Sequence, residues 1–544
     1  IVGPAAVAVA TPTQAGEGPS EALPAIVRQV CDLQWIDGLC EQFGYPDPQY
    51  RSATEPSLDQ PYALRIGALH EHSGYSDGDP DMRPRDFFAA GRTGHNTADA
   101  GGDTGVVVDW MLSSEHSDNE KLPVTTAEVC INPGALPDQL AAGDLLGLGP
   151  LLCQNVDQGD HYDKWDQTLA QAAEATEADA EGAYTGFTAM RGFEFTNDYY
   201  NHLGVYFSRN VVNAKVDGSL LTTEAFWNWL REPSTRGGGD DALVVFNHPG
   251  HLPALSPFDS DTPLNQLLAD LVGGGDWHDL THVSDVDDRV AGLEVNGGDD
   301  LFWYTKALRN GWHLGPVGAE DEHQREWSST ADPKTVVLTR GRSPRDYYAA
   351  FRAQRTMVVA PDMVGGEPGA PATYPKVLLW ADGTSVQDPA ATVLGGTVTG
   401  AGAHALEVEA SELPPGARVV LVSDALDQPL PIGAADGEGR FRSSTRVTAP
   451  ATGEHWWFVA ICQPSIEGCG TPGNHSVVTA PIWFAAGAAQ PEDAVVAPGT
   501  IVPDDPGRSA LPATGAPTRW PAVAAMGTAA TALLALRRRS SAGI

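Results

Sequence analysis

The chain has 544 residues, with 33 Lys and Arg against 71 Asp and Glu and a formal charge of −38. The length excludes one compact domain, and the acidic balance argues against a general binder of nucleic-acid backbones, which needs a basic face. Apolar residues make up 42%, enough for real cores; the acid excess reads as solvated surface that also raises local cation concentration.

The first stretch, "IVGPAAVAVATPTQAGEG", is a small-residue apolar run leading into polar sequence, as at the tail of a secretory signal peptide (1–20). An extension (21–60) follows. Next, the apolar run Leu64–Leu69 ends in "HEH". In a strand, residues i and i+2 share a side, so His70 and His72 aim at one point, as two ligands of a metal ion do. Alone, the pair reads equally as two surface histidines at a strand end. Other apolar runs end the same way. "GVVVDWMLSSEHSDN" ends at His116, "YTGFTAMRGFEFTN" at Glu194 and "ALVVFNHPGH" at His248 with His251 close by. "NHLGVYF" begins with His202, "VAGLEVNGG" contains Glu294, and "HLGPVGAEDEH" ends at Asp321 and His323. Helix-like segments lie between the runs: Trp165–Ala180, Thr223–Leu230 and Ser343–Gln354. This alternation predicts a β/α architecture with a largely parallel sheet. Polar ligand types at strand ends are where barrel active sites sit. So many buried polar groups cost free energy unless paired, and a metal cluster pairs them.

The ordered set HxH, SDG, EHSD, GFE, NH, NHPG and a late DxH resembles the PHP (polymerase and histidinol phosphatase) domain of metal-dependent phosphoesterases, over 61–362. "KWDQTLAQAAEATE…GFTAMRGFEFTN" and "NGWHLGPVGAEDEH" resemble its secreted bacterial branch, and "SPRDYYAAFRAQRTMVV" its last helix and strand. The resemblance implies a distorted seven-stranded (β/α) barrel holding three divalent ions. Carried over by position, the ligands are His70, His72, Asp77, His116, Glu194, His202, His248, Asp321 and His323. Imidazole and carboxylate donors suit Zn, Mn or Fe. Glu194 is the expected bridge, and a hydroxide shared by two ions the expected nucleophile toward phosphorus. His251 is a candidate acid for the leaving group, beside the reading of a loop histidine. Arg325 is a candidate phosphate contact, beside the reading of a surface salt bridge. The chain departs from the family pattern at Glu115 and Glu320, where many members have Asp and Ser, and in an insertion from about Asn119 to Ala180.

After Asp362, short alternating strands with Gly, Pro and Asp turns predict a β-sandwich over 363–487. Trp456 and Trp457 are expected in its core or at an edge. Six cysteines, paired by proximity, give Cys31–Cys40, Cys130–Cys153 and Cys462–Cys469, as disulfides of an exported protein. A Pro/Ala-rich linker (488–510) leads to "LPATG", the apolar stretch Pro521–Leu536 and Arg537–Arg539. This tail (511–544) resembles the sortase-processed wall anchor of Gram-positive surface proteins. The resemblance implies cleavage between Thr514 and Gly515 and covalent attachment to peptidoglycan; the Arg cluster would stay cytoplasmic. The expectation is a wall-anchored phosphoesterase acting on small mono- or diesters, with sortase as partner and no nucleic acid. Two alternatives stand: a binding or adhesion protein on a metal-containing but inactive barrel, and a nuclease.

Overall fold

The computed structural model describes residues 60–96, 102–117, 162–179, 183–197, 201–216, 219–220, 223–234, 237–249, 280–400 and 402–486. His251, Cys31, Cys40, Cys130, Cys153, the linker and the LPATG tail lie outside them. Among the described residues, no helix is long and apolar enough to cross a membrane.

The first part alternates strands and helices, as the pattern of apolar runs predicts. The strands are β1 (Ala63–Glu71), β2 (Trp110–Ser113), β3 (Glu115–His116), β4 (Thr188–Met190), β5 (Gly192–Asn197) and β6 (Asn201–Tyr206). They continue with β7 (Lys215–Val216), β8 (Ser219–Leu220), β9 (Leu243–Phe246), β10 (Val290–Glu294), β11 (Gly315–Val317), β12 (Lys334–Thr339) and β13 (Thr356–Val359). The helices are α1 (Pro84–Thr93), α2 (Tyr162–Ala175), α3 (Thr223–Arg231), α4 (Asp300–Arg309) and α5 (Pro344–Arg352). β9 (LVVF) and β10 (VAGLE) are buried throughout, as expected of parallel strands covered on both faces. α5 shows how the sequence sets a helix. Ser343 and Asp346 cap each other reciprocally and Pro344 opens the first turn. Tyr347, Tyr348 and Phe351 are then buried, with the Phe351 ring edge-on to Trp110 at 5.4 Å.

Backbone ladders place these strands in two sheets, apart from β7 and β8, which pair only with each other. In one, β1 lies between antiparallel β12 and parallel β2, with β4 beyond β2 and β13 beyond β12. In the other the order is β11, β10, β9, β6, β5, β3. The two are nearly one wall: β2 on β4 and β3 on β5 run parallel in the same register, interrupted only around Ser114 and Arg191. At that break the Ser113 hydroxyl donates to Gly192 O at 3.1 Å and accepts from Gly192 N at 3.0 Å. The expected seven-stranded ring is not closed by backbone pairing among the described residues. Between β11 and β12 the link is a side chain: Thr335 Oγ1 donates to Gly318 O and accepts from Gly318 N, both at 2.8 Å. After β11 the chain crosses to the end of β1. There Glu320 N bonds Leu69 O, Glu322 N bonds His70 O and His72 N bonds Glu322 O, at 3.1 to 3.3 Å.

The C-terminal strands are β14 (Lys376–Ala381), β15 (Thr392–Val393), β16 (Thr397–Thr399), β17 (Gly402–Ser411) and β18 (Arg418–Ser423). β19 (Leu430–Ala434), β20 (Phe441–Ala449), β21 (Glu454–Cys462), β22 (Val477–Thr479) and β23 (Ile482–Ala485) complete them. One sheet is β15-β14-β17-β20. The opposing strands β16, β23, β21, β18 and β19 join the first part directly, because β22 pairs antiparallel with β13 as well as with β21. One eleven-stranded sheet therefore runs through both parts. Trp456 and Trp457 are buried, and Cys462 is bonded to Cys469.

Candidate metal centre

The centre lies where strand ends meet. β1 delivers His70 and His72, β3 His116, β5 Glu194 and β6 His202. His248 follows β9. The turn after β1 carries Asp77, and the crossing segment after β11 carries Asp321 and His323. Simple strand alternation is not how the first two histidines converge. The β1–β2 register slips between Ala68 and Glu71, and His70 has φ of 72°. Asp321 (φ 50°) and His248 (φ 26°) share this left-handed backbone. Such strain costs on the order of 1 kcal/mol or more per residue and concentrates at functional sites. Here it re-aims side chains toward a common point.

Four overlapping groups result, each with its donor atoms within 4.8 Å of one another: His72, Asp77, His116 and His323; His70, Glu194 and His248; His70, His72 and Asp321; His116, Glu194 and His202. Every position carried over as a ligand belongs to at least one group. Glu194 belongs to two. Its Oε1 lies 2.9 Å from His70 Nε2 and 3.2 Å from both His202 Nδ1 and His248 Nε2, and its Oε2 lies 2.9 Å from His116 Nδ1. Asp77 Oδ1 lies 3.2 Å from His116 Nε2 and 3.1 Å from His323 Nε2. Asp321 Oδ1 lies 3.4 Å from His70 Nε2 and 3.3 Å from His72 Nε2.

The electrostatics call for cations. Burial would raise Glu194, but His202, His70 and His116 hold it well below the usual carboxylate range. Asp77 is held down the same way by His116 and His323. Burial opposes charge on His70 and His116, yet the surrounding carboxylates pull both well above the usual imidazole value. His72 is pushed down to about 3, by burial and then by His323. Ionised carboxylates packed among imidazoles need positive charge, and the choice is protons on the rings or metal ions between them. The donor set fits divalent metals. It is nitrogen and oxygen without thiolate, and the buried atoms His72 Nε2, His202 Nδ1 and Glu194 Oε2 have no hydrogen bond of their own.

A second ring of residues orients the first. Glu294 Oε1 lies 2.7 Å from His70 Nδ1, and Glu294 Oε2 accepts from His248 N at 2.6 Å. A carboxylate only accepts, so His70 carries its proton on Nδ1 and turns Nε2 to the cluster. Asn247 Nδ2 donates to Glu194 Oε1 at 2.8 Å. Neither Glu294 nor Asn247 stands out in the sequence as a site residue; the only local signal is a polar residue where an apolar run ends.

Both departures from the family pattern are built in. Glu115 accepts from Ser73 N, Ser73 Oγ and Ser76 Oγ at 3.1, 2.5 and 2.6 Å. It thereby pins the turn that carries Asp77. Glu320, with its side chain fully buried, pairs with buried Lys334 at 2.7 Å. From the insertion, Lys164 on α2 donates to Tyr75 O at 2.7 Å, bracing the same turn. Arg325 Nε donates to Asp79 Oδ2 at 2.6 Å, the salt bridge weighed for it.

No protein-family model matches the chain, and no curated protein matches it. Among solved structures, a two-domain protein from Bacteroides vulgatus ATCC 8482, described as containing a predicted PHP-like metal-dependent phosphoesterase, is similar over 79% of this chain and 97% of its own. The identity is 15% and the TM-score 0.34. PsfC from Pseudomonas syringae PB-5123 is similar over 52% of this chain and 85% of its own, at 14% identity and a TM-score of 0.24. Scores this low assign neither fold nor activity; the side-chain geometry carries the assignment of the centre.

Proposed function

We propose that the chain is a metal-dependent phosphoesterase that hydrolyses small phosphate mono- or diesters. One observation supports this above the others: ligand-type side chains from seven separate segments converge in four overlapping donor groups. Glu194, shared by two groups, is the natural carboxylate to lie between ions. Asp77, His116 and His323 would hold one ion with His72; Asp321 would serve His70 and His72. Bound divalent ions supply Lewis acidity toward phosphoryl oxygens and make water a better nucleophile. Glu294 fixes the tautomer of His70 and Asn247 fixes Glu194, so the holding groups need little rearrangement. The LPATG tail and the apolar opening support a location at the outer wall, with sortase as processing partner.

The test is direct. Protein stripped by a chelator loses hydrolysis of a phosphoester panel, and Mn²⁺ or Zn²⁺ restores it. His70→Ala and Asp321→Ala abolish it. Activity untouched by either substitution would defeat the assignment. A panel that includes single-stranded DNA separates a small-ester enzyme from a nuclease.

A further inference from the structure

Asp321 and His323 sit on a loop that burial alone does not hold. The Asp321 side chain is 42% exposed, and Gln324 and Glu326 are exposed near it. Asp321 (φ 50°), Arg325 (φ 73°) and Ser328 (φ 58°) all have left-handed backbone. Each costs on the order of 1 kcal/mol or more, and such residues persist only where the surroundings over-determine them. The two ends of the loop supply that constraint. On the way in, Ala319 N donates to Asn296 Oδ1 at 2.8 Å and Glu320 N bonds Leu69 O at 3.1 Å. On the way out, the Trp327 indole donates to His72 O at 3.2 Å and Ser328 Oγ to Val106 O at 2.6 Å. One side chain joins the ends. The Glu320 carboxylate accepts from Ser328 N at 2.7 Å through Oε2, and its Oε1 lies 2.7 Å from the Lys334 ammonium. Both side chains are fully buried. Lys334 opens β12, and its Nζ also donates to Ser329 O and, at 3.0 Å, to Asp332 O.

We propose that Glu320 is a positioning residue of the metal centre: its carboxylate closes residues 320–328 into a ring at the base of the loop, so that Asp321 and His323 stay aimed at the donor groups. Asp321 is the next residue along the chain. His323 depends on it in turn. Its Nδ1 lies 2.9 Å from Asp321 O, and a carbonyl only accepts, so Nδ1 carries the proton and Nε2 is left for the cluster. Lys334 offsets the Glu320 charge, which lets a carboxylate do this work in a buried place. This inference rests on the reading of the centre as a metal site.

Metal binding, not turnover, tests it. Full-length protein is stripped and titrated with Zn²⁺ against a chromogenic chelator, and its melting temperature is taken without metal. Glu320→Met combined with Lys334→Met exchanges the ion pair for apolar side chains of similar volume, a swap that is often neutral or stabilising. The stripped double variant should therefore melt near wild type, while its Zn²⁺ affinity falls about tenfold, as when a group that orients a ligand from behind is lost. Glu320→Gln combined with Lys334→Met keeps an acceptor for Ser328 N without a buried charge, and its affinity stays near wild type. Should the Met pair fail to fold, Glu320→Leu combined with Lys334→Met removes the same acceptor and carries the same expected loss. Unchanged Zn²⁺ affinity in a folded variant without the acceptor overturns the inference, and so does a Gln variant that loses as much as the Met pair. Wild-type protein that binds Zn²⁺ but hydrolyses no phosphoester overturns the proposed function while leaving this test intact; wild-type protein that binds no Zn²⁺ overturns both.

Discussion

Glu294 shows what a single side chain contributes here. It touches no carboxylate of the cluster, yet it sets the tautomer of one imidazole and the backbone of another. Glu294→Gln keeps the shape but puts an amide donor and a neutral oxygen where a charged acceptor stood. Metal affinity should fall about 10- to 100-fold, read by chelator competition, with the folded state intact by circular dichroism. Lys334 makes the opposite case. It is buried against Glu320, and behind it the Glu71 carboxylate is buried with neither oxygen hydrogen-bonded. Burial and then Glu320 push Glu71 well up, which disfavours its charged form. Lys334→Met would strand the Glu320 charge, and breaking such a pair costs about 3–5 kcal/mol. Urea unfolding of the two proteins measures it.

Among the elements, the ends of strands matter more than their middles. β1 slips register before its histidines, and the Ser73–Gly78 turn is held to Glu115 and to Lys164 of α2. Glu115→Ala should loosen that turn and lower the number of ions retained after gel filtration, since Asp77 belongs to one donor group only. A second seam lies at the start of β21. His313, just before β11, bonds Asp287 Oδ2 at 2.8 Å and pairs with Glu454 Oε1 at 2.9 Å. Burial opposes its charge, but these carboxylates push it up to about 9. Its folded value lies above the ordinary imidazole value of about 6.5. The stabilisation is therefore complete below about pH 6.5 and is lost as pH rises through about 9. The difference in melting temperature between wild type and His313→Gln should shrink across that window; a constant difference would exclude the pairing as its source.

At the scale of the whole molecule, the expected boundary at 362/363 separates two kinds of sequence but not two hydrogen-bonded sheets. β13 pairs with β12 on one side and β22 on the other. A chain ended at Asp362 exposes the β13 edge and the apolar surface that the module covers, an invitation to aggregate. Such a fragment should bind a hydrophobic dye and lose its near-ultraviolet dichroism, whereas the full chain should do neither.

The resemblance, together with a histidine or carboxylate at the edge of most apolar runs, was enough to name the candidate ligands, Asp77 through the SDG motif alone. Metal coordination accepts few side-chain types, and strand periodicity is local, so a histidine or carboxylate closing each apolar run is visible without coordinates. The helix from Ser343 and the Cys462–Cys469 bond, closed over a short loop, were visible for the same reason. The partners behind the ligands were not. Glu294 closes an apolar run and Asn247 stands in the NHPG motif, yet nothing local says that they hold the ligands and not the ions. Their roles come from backbone strain at His70, His248 and Asp321 and from the crossing of 318–323 onto β1. Those are contacts between segments tens to hundreds of positions apart, settled by packing and hydrogen-bond satisfaction over the whole fold, where no short window of sequence holds the information.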